Sequence, residues 1–308
     1  MIYVFPGQGS QKIGMGKDIY DAFQCVRDVF HEVDDAVSYK LSDLIFNGSE
    51  DELKSTENAQ PALMTVSMAF VRALKIEVGI DITEDAEFFA GHSLGEYSAL
   101  CAAGVISLSD TAKILKIRGS AMANACQTEG AMAAIIGLSI EDIENILKEV
   151  GANDGIVQIA NDNSDGQVII SGYKKAVDKV MEKSMDCGAK KAVLLEVSGP
   201  FHSELMQKAV DPIRECLDSI EFKKPSKPII SNVTAKAETD NFKELLIKQL
   251  TNRVRWRESI LFAKENGVSK CIEIGSGKVL TGLVKRIDAN MELENINSLE
   301  FFKKQNHL

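Results

Sequence analysis

Apolar positions fall in short unbroken runs that alternate with longer stretches of helical period. Ile2–Phe5 is one such run, stopped by Pro6-Gly7, and it predicts a short buried strand. A long amphipathic segment follows from about Lys17 to Val37, and Pro61–Val78 predicts a second strong helix. Glu87–Ala90 reads as a strand and Leu94–Ala103 as a helix. Ser109-Asp110 is read as the cap of a further helix reaching about Ala125. Strands that alternate with long helices predict an α/β fold with a mostly parallel sheet covered on both faces.

The pattern changes in the middle of the chain. Ala131–Leu138 predicts a strand, and Ser139 with Asp142 starts a helix ending near Val150. Ile156–Ala160 and Gln167–Ser171 predict two strands joined by a turn-rich "NDNSDG". Tyr173–Cys187 is then a helix and Lys191–Val197 a final strand. The order β-α-β-β-α-β is the ferredoxin-like one. The expected architecture is therefore a large α/β domain, residues 1–126 and 199–308, interrupted by a small ferredoxin-like subdomain, 127–198. A ligand is expected in the cleft between them.

Composition narrows the function. Over 308 residues the formal net charge is −10, which disfavours nucleic acid and anionic membrane as partners. None of the six cysteines forms a C-x-x-C pair, so neither a zinc site nor a dithiol centre is expected. With no leader-like start and no run long enough to span a bilayer, the expected location is the cytoplasm.

Gly91-His92-Ser93-Leu94-Gly95 fits the nucleophile elbow G-x-S-x-G, placed between an apolar strand and a helix as the motif requires. The alternative is a chance turn. A serine nucleophile needs a base, and there are only four histidines. His31 lies in an acidic surface helix and His307 in the polar tail. His92 adjoins Ser93, and neighbours on an extended strand point to opposite sides. His202, in "VSGPFHSELM", sits where a strand ends and a helix begins, and is the candidate; its alternative is a helix-capping surface histidine. No acidic residue stands out as a third member. Arg118 shares a helix face with Ile114 and Met122, and a guanidinium on an apolar stripe needs an anion. That anion is either a buried Asp or Glu or a substrate carboxylate. Two nucleotide readings fail. The third glycine of G-x-G-x-x-G would be Lys12, and "GSGKVLTG" has Ile272 and Val279 where a phosphate loop needs Gly and Ser or Thr.

Taken together, "FPGQGSQ", "GHSLGEY", "KIRGSAM", "GAMAAIIGL", "NDNSDGQVIISG", "VSGPFHSELM", "QLTNRVRW" and "EIGSGKVLTGLVKRI" resemble the malonyl-CoA:acyl-carrier-protein transacylase family of fatty acid synthesis over nearly the whole chain. The resemblance implies an α/β-hydrolase-like core with a ferredoxin-like insertion. It implies Ser93 as the acylated nucleophile, His202 as its base and the Gln249 backbone carbonyl as the group orienting that base. It further implies the N–H groups of Gln8 and Leu94 as the oxyanion hole, and Arg118 as the holder of the malonyl carboxylate. Phe201 matches malonyl-selective members, and Met122 is placed with Arg118 and Phe201 on the substrate. The implied partners are malonyl-CoA and acyl carrier protein, with no cofactor, and the chain is expected to be a monomer. Lys278, Lys285, Arg286, Lys190 and Lys191 are candidates for carrier docking. Ser276, Arg253 and Asp165 depart from the family pattern in loops. The rival functions are a serine thioesterase or esterase on the same elbow, an acyltransferase serving a polyketide synthase, and a carrier-protein scaffold without activity.

Overall fold

A computed structural model describes residues 1–126 and 130–305. Its ten strands form two sheets. They are β1 (Ile2–Phe5), β2 (Phe88–Gly91), β3 (Gly130–Ile136), β4 (Val157–Ser164), β5 (Gln167–Tyr173), β6 (Lys191–Leu194), β7 (Ile229–Ile230), β8 (Ala237–Glu238), β9 (Lys270–Ile274) and β10 (Glu292–Ile296). The large sheet has the order β10-β9-β1-β2-β7-β8, parallel except for the edge strand β8. Alternation along β1 shows why the run looked continuous. Tyr3 and Phe5 point into one core and Ile2 and Val4 into another, so both faces are dry.

The second sheet is antiparallel, in the order β4-β5-β3-β6. Helices Ile140–Asp154 and Lys174–Asp186 complete the β-α-β-β-α-β sequence of elements. One face of this sheet has its own core, including Ile135, Ile143, Ile170 and Val177. From the other face Met132 and Ile169 join the large core. The two parts therefore share a wall, and the cleft opens along it.

Four local expectations are corrected. The stretch Lys17–Val37 is two helices, Lys17–Ala22 and Gln24–Val37, because Phe23 goes extended and packs on Phe302 at 5.4 Å. The helix expected at Pro61 runs over Thr56–Glu77, with Pro61 in its second turn at the loss of one main-chain bond. The helix Leu108–Ala125 is capped by Ser107, whose Oγ accepts from the Asp110 N–H at 3.1 Å, while Ser109 donates to Glu32. "NDNSDG" is mostly strand: β4 runs through Ser164 and only Asp165-Gly166 turn. Its polar side chains and backbone find partners in the large part. Main-chain bonds join Asp162 to Val254 and Val254 to Ala160, and Arg257 pairs with the Asp162 carboxylate at 3.0 Å. The expected domain boundary at 126/127 and the tail residue His307 lie outside the described residues.

Candidate active site

The elbow is built by sterics. An added Cβ on Gly91 would fall 1.9 Å from the Gly95 carbonyl, and one on Gly95 would fall 2.2 Å from the Phe5 carbonyl oxygen. Only glycine lets the strand, the turn and β1 approach so closely. Ser93 between them is forced to φ 53°, a left-handed conformation that non-glycine residues avoid. Asn232 braces it: the Ser93 N–H donates to Asn232 Oδ1 at 2.8 Å, and Asn232 Nδ2 donates to the Gly91 carbonyl at 2.7 Å.

His202 also has positive φ, at 56°. It is 3% exposed, and its Nε2 lies 2.8 Å from Ser93 Oγ. Its Nδ1 lies 2.8 Å from the Gln249 carbonyl oxygen. A carbonyl can only accept, so Nδ1 carries the proton and Nε2 accepts from the serine hydroxyl. Burial, helped by the Arg118 cation, holds the imidazole well below its usual range, at about 3. A neutral imidazole is thus aimed at the Ser93 hydroxyl. Among the described residues no carboxylate bonds this imidazole; its Nδ1 rests on the Gln249 main chain instead.

Arg118 projects from helix Leu108–Ala125 on the same buried face as Ile114 and Met122. Gly119 lets this helix lie against the start of helix Thr56–Glu77, where a Cβ would meet Glu57 and Thr56 at 2.6 Å. That approach brings Gln60 to Arg118. Arg118 Nη1 donates to Gln60 Oε1 at 2.7 Å, and Nη2 donates to Gln249 Oε1 at 2.9 Å and to Ser93 Oγ at 3.2 Å. Among the described residues no carboxylate pairs with it directly. The cation stands beside the Ser93 hydroxyl, and its acceptors are neutral.

The cleft has a volume of about 440 Å³ and lies between the large part and the small sheet. Gln8, Leu94, Met122 and Phe201 line it with Ser93, Arg118 and His202, so the predicted residues converge. The backbone N–H groups of Gln8 and Leu94 have no acceptor among the described residues, as an oxyanion hole requires. Four residues of this neighbourhood were not picked out from sequence as site residues: Gln60, Glu96, Asn163 and Asn232. They are polar residues buried by distant contacts, and only the density of polar residues in "NDNS" was a visible signal. His92, expected to point away, lines the same cleft and is held by Asn163 at 2.8 Å between the imidazole Nε2 and the amide Oδ1. His31 is exposed, against Tyr20.

The rejected phosphate loop has a physical explanation. The buried Glu273 carboxylate accepts from the N–H groups of Leu280 and Thr281 at 3.1 and 2.8 Å, so the start of helix Val279–Ile287 already has its anion. Two of the docking candidates come near one turn: Arg286 donates to Gln167, next to the Gly166–Gly137 contact against which Lys190 packs.

A serine on a strand–turn–helix elbow, a histidine bonded to its hydroxyl and an unfilled pair of main-chain donors form the arrangement of a serine acyltransferase or hydrolase. The chain belongs to the acyl transferase domain family, whose match covers residues 2–300. It is 46% identical to the malonyl CoA-acyl carrier protein transacylase of Bacillus subtilis over 94% of this chain and 91% of that one. It superimposes on an acyl-carrier-protein S-malonyltransferase from Bartonella henselae with a TM-score of 0.96 and 50% identity, covering 99% and 98% of the two chains. A malonyl-transacylase solved in complex with a type II polyketide acyl-carrier protein matches with a TM-score of 0.92 and 40% identity, over 100% and 99%.

Proposed function

We propose that this protein moves the malonyl group of malonyl-CoA to the phosphopantetheine thiol of acyl carrier protein through a malonyl ester of Ser93, as an enzyme of fatty acid synthesis. The observation that carries the reading is Arg118 Nη2 at 3.2 Å from the same Ser93 Oγ that bonds His202. A fixed cation at the nucleophile selects an acyl group whose own carboxylate sits one methylene from the reacting carbonyl.

His202 Nε2 takes the Ser93 proton as Oγ attacks the thioester carbon. The tetrahedral oxyanion accepts from the N–H groups of Gln8 and Leu94. The C–S bond breaks, the CoA sulfur leaves with the proton from His202, and malonyl remains as the serine ester. The carrier thiol then enters, gives its proton to His202 and attacks the ester, and Ser93 recovers its proton as it leaves. Arg118 holds the malonyl carboxylate throughout, while Met122 and Phe201 form the apolar wall against the methylene. Gln249 orients the base through its main chain.

Residues 127–198 are read as an inserted ferredoxin-like subdomain, which the strand order β4-β5-β3-β6 supports, and 1–126 with 199–308 as an α/β-hydrolase-like catalytic part. A monomer in the cytoplasm, needing no resident cofactor or metal, completes the proposal on the sequence reading. Among the described residues no helix is long and apolar enough to cross a membrane.

The test is intact mass after mixing with malonyl-CoA alone. One malonyl adduct per chain is expected, absent in Ser93→Ala. Free malonate without a persisting adduct would make the protein a hydrolase instead.

A further inference from the structure

Glu96 follows the nucleophile by three residues, in the first turn of helix Gly95–Ala102. It is 1% exposed. Its Oε2 accepts from Gln249 Nε2 at 2.6 Å and from the Asn232 N–H at 3.2 Å, while its Oε1 makes no hydrogen bond among the described residues. The other end of the Gln249 amide, Oε1, accepts from Arg118. A buried carboxyl and a buried guanidinium thus stand at opposite ends of one amide. The amide relays between them, since donating to an anion makes its oxygen a better acceptor.

We propose that Glu96 is the resident counter-ion of Arg118 before substrate binds, and that it gives up this role by taking a proton from solvent when the malonyl carboxylate engages the guanidinium. The proposal rests on reading Arg118 as the malonyl clamp. Two anions sharing one cation in a dry site repel each other, and the pair titrates so that one of them becomes neutral. The substrate carboxylate reaches Arg118 directly, whereas Glu96 reaches it only through Gln249. Glu96 is therefore the one to protonate. Its geometry suits both states: Oε2 acts only as an acceptor, which a protonated acid also provides, and Oε1 is free to carry the proton. Burial pushes this carboxyl up to about 7, against the polar contacts of Gln249, Asn232 and Ser231 and, after them, the pull of the Arg118 charge. Once the Arg118 charge is shared with substrate, that pull weakens and the proton is held more tightly. The other groups facing it do not compete: Ser231, Asn232 and Gln249 are uncharged, Tyr97 is pushed up to about 12 and His202 down to about 3. Glu96 is a positioning residue, since it acts through Gln249 and Arg118.

The test is a proton count. Malonyl-CoA is titrated into Ser93→Ala protein at pH 7.5 by calorimetry in two buffers of different ionisation enthalpy, so that binding is read without turnover. A large fraction of one proton is expected to be taken up per malonyl-CoA, and none with acetyl-CoA. Adding Glu96→Gln should remove the uptake. No uptake with malonyl-CoA, or uptake that survives Glu96→Gln, overturns the proposal. Equal uptake with both thioesters overturns the clamp reading of Arg118 instead. A second measurement needs no variant. The malonyl-to-acetyl ratio of kcat/KM should fall as pH rises above 7, by up to about tenfold per pH unit. A ratio that stays level from pH 6.5 to 9 would equally overturn it.

Discussion

The two halves of the proposed catalytic pair are held in opposite ways. Ser93 is fixed locally: two glycines within two residues of it, β1 against the elbow and one brace from Asn232 determine where the hydroxyl points. His202 is fixed by chain far away. Its imidazole rests on the Gln249 carbonyl, 47 residues on, and its own carbonyl accepts from Gln158 in β4 at 3.4 Å. Gln158 also takes the N–H of Glu204 at 3.0 Å and donates to the Thr251 carbonyl at 3.2 Å. The small sheet thus holds the segment that carries the base and the end of the helix that orients it. A nucleophile can be written into a pentapeptide, but a base of this kind is assembled by the tertiary fold.

Arg118 belongs to both halves, touching Ser93 from one and Gln249 from the other, and it should give the largest effect. Truncating one partner of a desolvated charge pair costs about 2–5 kcal/mol. Malonyl kcat/KM for Arg118→Ala should therefore fall roughly thirty-fold to several-thousand-fold at about 1.4 kcal/mol per decade. Acetyl transfer should hold or rise. Steady-state kinetics on both thioesters, with a thermal melt alongside, checks it. Equal losses on both would make Arg118 a purely structural group shared by the two halves.

Gly95→Ala attacks the local half. Its Cβ would meet main-chain atoms of Phe5 and Pro6, which cannot swing aside, so the strain is expected at about 1–3 kcal/mol or more of stability. Chemical denaturation should show the midpoint falling with little change in slope. A variant as stable as the parent would mean that the elbow does not depend on glycine.

Gln158→Ala attacks the distant half and should be milder. It removes the brace on His202 without touching the nucleophile or the cation. The loss of about 1 kcal/mol of hydrogen bonding predicts a several-fold fall in kcat for both thioesters, with their ratio unchanged. A shift in that ratio would show that Gln158 acts on substrate rather than on the base.

This division also explains what was legible in the sequence. Ser93 announced itself because its constraints are neighbours in the chain, and β1 and β2 because their apolar runs are unbroken. His202 was reachable only by elimination among four histidines. Arg118 stood out as a charge on an apolar face, but its neutral partners Gln60 and Gln249 did not. "NDNSDG" looked like a turn because its polar residues are usual in turns, yet Asp162 and Asn163 are buried and paired across the seam with Val254, Arg257 and His92. Glu96 had no signal, since its burial follows from the meeting of three separate segments.

The smallest expected effect on rate concerns pH, and it tests how dry the distant half keeps its histidine. His202 acts as a base only when neutral. Its burial, then the Arg118 cation, lower it from the usual 6.5 to about 3, so protonation in the free enzyme begins far below neutrality. Acetyl-CoA is the right probe, because it has no carboxylate to offset Arg118, and kcat/KM reports the free enzyme. Its kcat/KM should stay level from pH 8 down to 5, with no acid limb near 6.5. Stability should respond where the rate does not. Between pH 6.5 and about 3 the unfolded chain binds a proton at this histidine that the folded chain refuses. The contribution of His202 is therefore present above 6.5 and is lost as pH falls through that window, on the order of a few kcal/mol. Denaturation midpoints at each pH separate this loss from any change in rate. Arg118→Ala removes the second-largest of the causes that lower His202, after burial and ahead of His92, so its acid limb should move up toward 6.5. A parent enzyme that already shows the limb at 6.5 would mean that water reaches His202, and the distant half would then be looser than its hydrogen bonds imply.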